Sequence, residues 1–434
     1  MINKTQKQII FLSSLGGALE FYDFIIFIFL AKIISELFFP NNNPTIALIS
    51  TLAVFTVGYL FRPLGGIIFG YCGDKFGRKK TFVATVILMA LPTFLLGLLP
   101  TFSQIGIFAP IFLILLRLIQ GFSVGGEIPG ALVFITESVA IKQRGLAVAF
   151  VLFGINTGML FGSFLTTLLL NHLSAEALHQ WGWRLPFILG GCFGILSFHL
   201  RTKLYETPAF EALQAKKLFK RSPTLEMFKE HYKPLLLGVS FMLVAAVFVN
   251  IIYLFMPTYL SNYFGYPLKQ LYSLNTLCIA LFALPGIFIG HLSDKFGRKT
   301  FILIAVLLMG FFNYFLFKLF PLQNFQLVTF ALLLLGLFCI GLTTVAPCLI
   351  SELFPTEVRY SGVGFCYNIG FGVFGGLSPL LSTFLIHVTH NPLSPSFILG
   401  FVAIIGMIAL YFTHETYKKC LLTSTTIKIE SAYE

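Results

Sequence analysis

Five charged side chains lie deep inside long apolar segments of this 434-residue chain, namely Glu20, Asp23, Arg62, Arg117 and Glu127. A charge near the middle of a bilayer is costly, so such residues are candidates for function. Three carboxylates against two guanidinium groups leave one excess acid, which should bind a proton readily. A planar guanidinium can bind both oxygens of a carboxylate at once. We therefore expect the three acids to include a proton-coupling site and the two arginines to bind a substrate carboxylate, Arg117 first.

Neutral polar side chains accompany these charges. Gln120 shares a helical stripe with Arg117 and Glu127, because positions 117, 120, 124 and 127 follow a 3-4-3 spacing. The C-terminal segments offer amides and tyrosines suited to neutral hydrogen bonding. The further candidate substrate-binding residues are Gln120, Tyr22, Asn250, Tyr253, Tyr367 and Asn368. Two alternatives remain open: the buried charges form a static ion-pair network, or Tyr22, Tyr59 and Tyr253 surround a quaternary ammonium by cation–π contacts.

The composition requires a membrane protein. Hydrophobic residues make up 57% of the chain and charged residues 11%, against about 25% charged residues in soluble domains. This excludes a water-soluble globule, a disordered chain and a disulfide scaffold. A bilayer span needs roughly 20 apolar residues, and the apolar runs predict twelve spans. They cover residues 10–39, 46–72, 81–99, 104–138, 145–172, 184–200, 235–262, 271–292, 301–319, 324–353, 361–389 and 394–413.

The basic residues predict the orientation and the division of the chain. Of 29 Lys and Arg residues, 23 lie at the ends, in alternate loops and in the long polar segment 201–233. The positive-inside rule then places both termini in the cytoplasm and explains the net charge of +12 without a nucleic-acid partner. We predict an all-α membrane protein with a six-helix half at 1–200, a cytoplasmic linker at 201–233, a second half at 234–417 and a tail at 418–434. The linker should form short amphipathic helices on the inner membrane surface.

Two motifs are repeated between the halves. Residues 70–79 match residues 290–299 at an offset of 220, and Glu137 with Arg144 matches Glu352 with Arg359 at an offset of 215. Duplicated halves are the architecture of many secondary transporters. Within the first motif, we expect the aspartate to cap the next helix and the glycine to permit a tight turn.

The repeated Gly-x-x-x-Asp-Lys-x-Gly-Arg-Lys loop resembles the signature of the major facilitator superfamily. The runs at residues 20–24, 62–66, 120–127, 181–186, 206–210 and 256–260 resemble its metabolite–proton symporter branch. Members of that branch move proline, betaine, oxoglutarate, citrate or shikimate with protons. The resemblance implies that the repeated motifs latch a cytoplasmic gate, with Glu137–Arg144 and Glu352–Arg359 as companion pairs. The gating residues would be Asp74, Gly77, Arg78, Glu137, Arg144, Asp294, Gly297, Arg298, Glu352 and Arg359. Ile128 departs from the aromatic residue expected there, and no coiled-coil tail follows helix 12, which argues against osmotic regulation.

Together these features predict a secondary active transporter of the bacterial inner (plasma) membrane, working as a monomer by alternating access. Its partners would be the lipid bilayer, protons and a small carboxylate-bearing substrate, with a proline- or betaine-like zwitterion favoured. The alternatives are an organic-acid symporter, exchange or uniport, and a ligand sensor that does not transport. The chain has no Walker loop and no nucleophile–base arrangement, so we expect neither an enzyme nor a cofactor. The histidine and cysteine spacings predict no metal site.

Overall fold

The structure of the chain is a computed structural model that describes residues 4–41, 43–217 and 220–418. Twelve helical segments are long and apolar enough to cross a membrane, which confirms the predicted fold. The first six helices are α1 (Lys4–Phe29), α2 (Pro44–Leu60 and Arg62–Phe76), α3 (Arg78–Leu98), α4 (Phe108–Ser138), α5 (Arg144–His172) and α6 (Arg184–Thr202). The second six are α7 (Tyr232–Val249 and Met256–Phe264), α8 (Leu268–Phe296), α9 (Arg298–Phe317), α10 (Phe325–Leu353), α11 (Arg359–Asn368 and Gly376–Thr389) and α12 (Ser394–Phe412).

The boundaries differ from the predicted ones in a few places. The first predicted span is broken at Leu30, and a separate short helix, Ala31–Phe38, follows α1. The segment between α6 and α7 forms two short helices, Pro208–Ala215 and Pro223–Glu230. Most of the predicted tail at 418–434 lies outside the described residues.

Prolines interrupt the spans where the backbone approaches the centre of the bundle. Pro257 cannot donate to the carbonyl of Tyr253, four residues earlier, and a π-helical segment, Asn250–Phe255, precedes it. The freed carbonyl accepts a hydrogen bond from Asn275 Nδ2 of α8 at 2.9 Å. Such compensation is required in a bilayer, where no water is at hand for an unpaired carbonyl. α11 contains a second π-helical segment, Ile369–Gly375.

Glycines allow the helices that surround the centre to approach closely. A Cβ on Gly121 or Gly125 of α4 would overlap the backbone of α2, and one on Gly66 or Gly70 of α2 would overlap α11. These glycines therefore serve the close packing of the helices. The turns between α2 and α3 and between α8 and α9 place Gly77 and Gly297 at φ of 116° and 97°, a region that side chains other than glycine avoid.

Candidate functional site

A cavity of about 180 Å³ lies between the two halves at mid-depth. Both halves line it, through α1, α2 and α5 on one side and α7, α8, α10 and α11 on the other. No charged side chain lines it among the described residues. Its wall carries seven aromatic rings and four neutral polar side chains: Phe21, Tyr59, Phe153, Tyr253, Phe282, Tyr367, Phe371, Asn156, Asn250, Thr343 and Thr344. Such a wall suits a small ligand held by aromatic faces and a few hydrogen bonds.

Three predicted substrate-binding residues, Asn250, Tyr253 and Tyr367, line this cavity. Tyr22 and Gln120 do not line it. The Tyr22 hydroxyl donates to the carbonyl of Pro186 in α6 at 2.8 Å, within the N-terminal half. Sequence reasoning missed Asn156, although a lone amide in the apolar middle of α5 is a signal that could have identified it.

Asn368 satisfies the backbone instead of lining the cavity. Pro129 frees the carbonyl of Gly125 in α4, and Asn368 Nδ2 of α11 donates to that carbonyl at 2.7 Å. Asn368 is fully buried. Its side chain therefore joins the two halves where the proline leaves an acceptor without a donor.

Asp23 lies in a direct ion pair with Arg117. Its carboxylate accepts hydrogen bonds from Arg117 Nη1 at 2.5 Å, Gln120 Nε2 at 3.1 Å and Thr93 Oγ1 at 3.2 Å. The ring of Phe27 covers Arg117, with the guanidinium carbon 3.8 Å from the ring centroid. Arg117, the favoured substrate anchor from sequence, is thus 3% exposed and does not line the central cavity.

Glu127 also lies in a direct ion pair, with Arg201. The predicted linker at 201–233 includes Arg201, but this residue lies in α6 with its side chain fully buried. Its Nη2 and Nη1 donate to Glu127 at 2.6 and 3.0 Å, and Thr85 donates to the same carboxylate at 2.7 Å. The buried charges of the N-terminal half therefore balance, and the expected excess acid is absent from the described residues.

Glu20 differs from both other acids. It is 1% exposed, and neither of its oxygens has a hydrogen-bond partner among the described residues. Its nearest cation is Arg62 of α2, at 3.8 Å between Oε1 and Nη2. Arg62 Nε and Nη2 likewise lack hydrogen-bond partners within the described part of the chain. The guanidinium carbon of Arg62 lies 4.9 Å from the ring centroid of Tyr59 in the cavity wall.

The two halves contact each other at one end of the bundle, which we call the loop face because it carries the repeated loops 73–80 and 293–300. Asp74 accepts from the backbone N–H groups of Tyr360 and Ser361, at 3.0 and 2.8 Å. Asp294 accepts from those of Gly145 and Leu146, at 2.8 and 2.9 Å. Each aspartate thus binds the N-terminus of a helix in the opposite half, where the helix dipole favours an anion. The expectation that it caps the next helix along the chain is wrong.

The ion pairs at the loop face also cross between the halves. Arg359 Nη1 contacts Glu137 at 2.5 Å, and Arg144 Nη1 lies 3.7 Å from Glu352. The predicted pairs, Glu137 with Arg144 and Glu352 with Arg359, are therefore wrong. The seven-residue interval spans the end of one helix and the turn before the next, so it sets no common helix face.

Two further arginines complete the loop face. Arg78 binds Glu137 at 3.2 Å and donates across to the carbonyl of Thr356 at 2.5 Å. Arg298 binds Glu352 at 3.2 Å. Each glutamate therefore holds the arginine of its own half and one from the other half, which closes the cavity off at this end.

A Glu-Thr dipeptide follows the last helix of each half and supports this arrangement. Glu206 accepts from the backbone of Arg78 and Lys79 at 3.1 Å, and Thr207 donates to Glu137 at 2.6 Å. Glu415 and Thr416 make the same contacts with Arg298, Lys299 and Glu352. Burial raises the pKa of the Glu206 carboxyl, against the opposing effect of these N–H donors. The repeated dipeptide was visible in the sequence, but its partners were not.

One group in the linker brings together possible metal ligands, Glu226, Glu230 and His231, whose ligand atoms lie within 4.8 Å of one another. Lys220 already pairs with Glu226. This lysine supplies the cation for the group, so it gives no support for a metal site.

The family model described as Major Facilitator Superfamily matches residues 11–290 and 270–426. The glycine betaine/proline/ectoine/pipecolic acid transporter OusA of Dickeya dadantii is 35% identical over 96% of this chain and 85% of the relative. The proline/betaine transporter of Salmonella typhimurium is 33% identical over the same shares. A putative proline/betaine transporter of Staphylococcus aureus is 33% identical over 95% of this chain and 89% of the relative.

Solved structures support the fold. A proton:xylose symporter, XylE, bound to 6-bromo-6-deoxy-D-glucose superimposes over 100% of both chains with a TM-score of 0.78 and 18% identity. A partially occluded inward-open XylE from E. coli covers 96% of this chain with a TM-score of 0.68 and 19% identity. At such identities the likeness extends to the fold alone.

Proposed function

Since this chain belongs to the major facilitator superfamily, we propose that it carries a small zwitterion of the proline or betaine kind together with protons. Transport would follow alternating access, in which the halves rock about a central site. One observation carries the proposal: the cavity lies at mid-depth between the halves, and crossed ion pairs close it at the loop face. Alternating access requires a state in which the central site is closed towards one side of the membrane.

The chemistry of the cavity favours a zwitterion over a dicarboxylate or tricarboxylate. Its described wall has no cation, and the guanidinium of Arg62 lies beside Tyr59, which is part of that wall. One guanidinium can bind one carboxylate through two hydrogen bonds, whereas a second carboxylate would be buried without a counter-ion. Aromatic faces can hold the ammonium end without an acid. The names of the relatives, which include proline and betaine, support the same substrate class.

The basic side chains of the loop face indicate the orientation of the protein, and its bacterial relatives indicate the membrane. The loop face carries basic side chains such as Lys75, Lys80 and Lys295, and the positive-inside rule assigns such a face to the cytoplasm. The cavity would then open towards the outside, and both termini would be cytoplasmic. The named relatives are bacterial, which supports the inner membrane. We propose a transporting monomer without enzymatic activity, cofactor, metal or nucleic-acid partner, composed of the predicted halves at 1–200 and 234–417.

Uptake into proteoliposomes tests the proposal. With an acidic outside and an alkaline inside, we expect labelled proline or betaine to accumulate above its outside concentration. A protonophore should abolish the accumulation, and liposomes without protein should show none. Uptake that equilibrates without accumulation indicates uniport or exchange. Binding without uptake indicates a sensor, and accumulation of oxoglutarate or citrate in place of proline and betaine indicates an organic-acid symporter. Each of these outcomes contradicts the proposal.

A further inference from the structure

The three buried acids of the described N-terminal half that lie away from the loop face accept unequal numbers of hydrogen bonds. Asp23 accepts three hydrogen bonds from side chains and Glu127 also accepts three, whereas Glu20 accepts none from the described residues. A proton that binds to either of these two carboxylates removes the charge that strengthens its hydrogen bonds to arginine. A proton that binds to Glu20 weakens no such bond and removes an undersolvated charge. Glu20 is therefore the acid whose charge is least secured by the protein.

Arg62 is the buried arginine at this depth that donates to no carboxylate among the described residues, since Arg117 donates to Asp23 and Arg201 to Glu127. The 3.8 Å separation from Glu20 is too long for a hydrogen bond, and two of its three nitrogens have no partner among the described residues. It is 1% exposed, behind the ring of Tyr59 and near Tyr367, and both tyrosines line the cavity. A guanidinium with unused donors behind a cavity wall is a site for a carboxylate.

We infer that Arg62 is the subsite for the substrate carboxylate and that Glu20 is its internal competitor, which gives Arg62 up when it binds a proton. The inference rests on the proposed function and deepens it. Entry of the carboxylate requires the ring of Tyr59 or Tyr367 to move aside. The substrate then replaces a distant ion pair by two direct hydrogen bonds on the guanidinium.

Charge balance couples the binding of a proton to Glu20 with the binding of the substrate carboxylate to Arg62. If the substrate carboxylate entered while Glu20 stayed ionised, two carboxylates would share one guanidinium, and one buried charge would be uncompensated. A proton from the side to which the cavity is open forms an O–H bond on a Glu20 oxygen and removes that charge. The charges and titratable groups that face Glu20 are Asp23 of α1, Arg62 and Tyr59 of α2, Arg117 and Glu127 of α4, and Tyr367 of α11. Asp23 and Glu127 are already paired, so one proton accompanies each zwitterion, and each inward step carries one positive charge.

Proton uptake on binding tests the role of Glu20. Isothermal titration of the purified protein with betaine, in two buffers of different ionisation enthalpy, counts the protons bound per substrate. We expect about one proton for the wild type and about none for Glu20→Gln, whose affinity should no longer depend on pH. Glu36→Gln is the matched control, because Glu36 is an exposed acid that pairs with His179 away from the site; it should behave as the wild type.

Betaine and choline together test the role of Arg62, because choline has the same quaternary ammonium but no carboxylate. We expect Arg62→Met to weaken betaine binding by a factor of about 30 or more and to leave choline binding unchanged. A variant that still prefers betaine by the wild-type ratio overturns the carboxylate subsite. Proton uptake that persists in Glu20→Gln but disappears in Asp23→Asn assigns the proton to Asp23 and overturns the competition. A wild-type protein that binds neither betaine nor proline refutes the proposed function itself.

Discussion

Glu127 and Arg201 show how a buried charge can serve packing. Besides Glu127, the guanidinium of Arg201 binds the carbonyls of Phe82 in α3 and Leu12 in α1, so one side chain of α6 joins three other helices. A Cβ on Gly16 of α1 would overlap both members of the pair. The pair is thus enclosed by the helices that it joins, and we assign it to the integrity of the N-terminal half, leaving the proton to Glu20.

Removal of one partner should therefore destabilise the protein more than removal of both. Arg201→Met leaves Glu127 buried and unpaired, a change that costs about 3–5 kcal/mol. The double variant Glu127→Gln/Arg201→Met should recover most of the loss, as thermal unfolding in detergent would measure. Lys203→Met, an exposed basic residue in the next turn, should leave the melting temperature unchanged. A double variant as unstable as Arg201→Met would refute the pairing argument.

The start of α11 is the element that seals the loop face. Tyr360 is fully buried, and its hydroxyl donates to the carbonyl of Gly126 in α4 at 3.0 Å. A Cβ on Gly73 of α2 or Gly130 of α4 would overlap the tyrosine side chain. A side chain of one half therefore fills a glycine-lined socket in the other half, and the socket must empty when the loop face opens.

Tyr360→Ala should shift the protein towards a state open at the loop face. Loss of a buried aromatic ring costs the closed state about 3–5 kcal/mol, whereas Tyr360→Phe loses one hydrogen bond of about 0.5–1.5 kcal/mol. Spin labels at the exposed positions Lys75 and Lys295, in a background without native cysteines, would report longer distances in the alanine variant. Tyr259→Phe is the control, since its hydroxyl binds Pro392 within one half. Unchanged distances in folded Tyr360→Ala would rule out the latch.

The two halves make equivalent contacts at the loop face, but they contribute different kinds of side chain at mid-depth. Asp74 and Asp294 make the same crossed contacts at the loop face. The midplane charges lie in the N-terminal half, while the C-terminal half faces the cavity with aromatic rings, amides and hydroxyls. One half thus holds the buried charges at this depth and the other supplies a neutral wall, so a symmetric set of contacts at the loop face accompanies an asymmetric cavity.

Because Asp74 and Asp294 make equivalent crossed contacts, their removal should have equal and additive effects on the opening of the loop face. Asp74→Asn and Asp294→Asn each remove the negative charge from one crossed helix N-terminus at a cost of about 1 kcal/mol, so each should raise the ratio of open to closed loop face by about fivefold. The two sites have no shared partner, so the double variant should show the product of the two effects. The same spin-label distances measure the ratio. A double variant no more open than either single one would mean that the two latches act as one unit.

The sequence by itself determined the twelve spans, the family and the identity of the repeated motifs, because span length, hydropathy and motif spacing are local properties of the chain. Only the tertiary structure decided the partners. Asp74 binds a helix 286 residues away, Glu137 pairs with Arg359 instead of Arg144, and Arg201 belongs to the core instead of the linker. The contrast between Glu20 and Asp23 arises from the same cause. The two acids lie three positions apart on one helix face and have the same hydropathy signal, but the donors that reach Asp23 come from other helices, whose placement the local pattern does not contain.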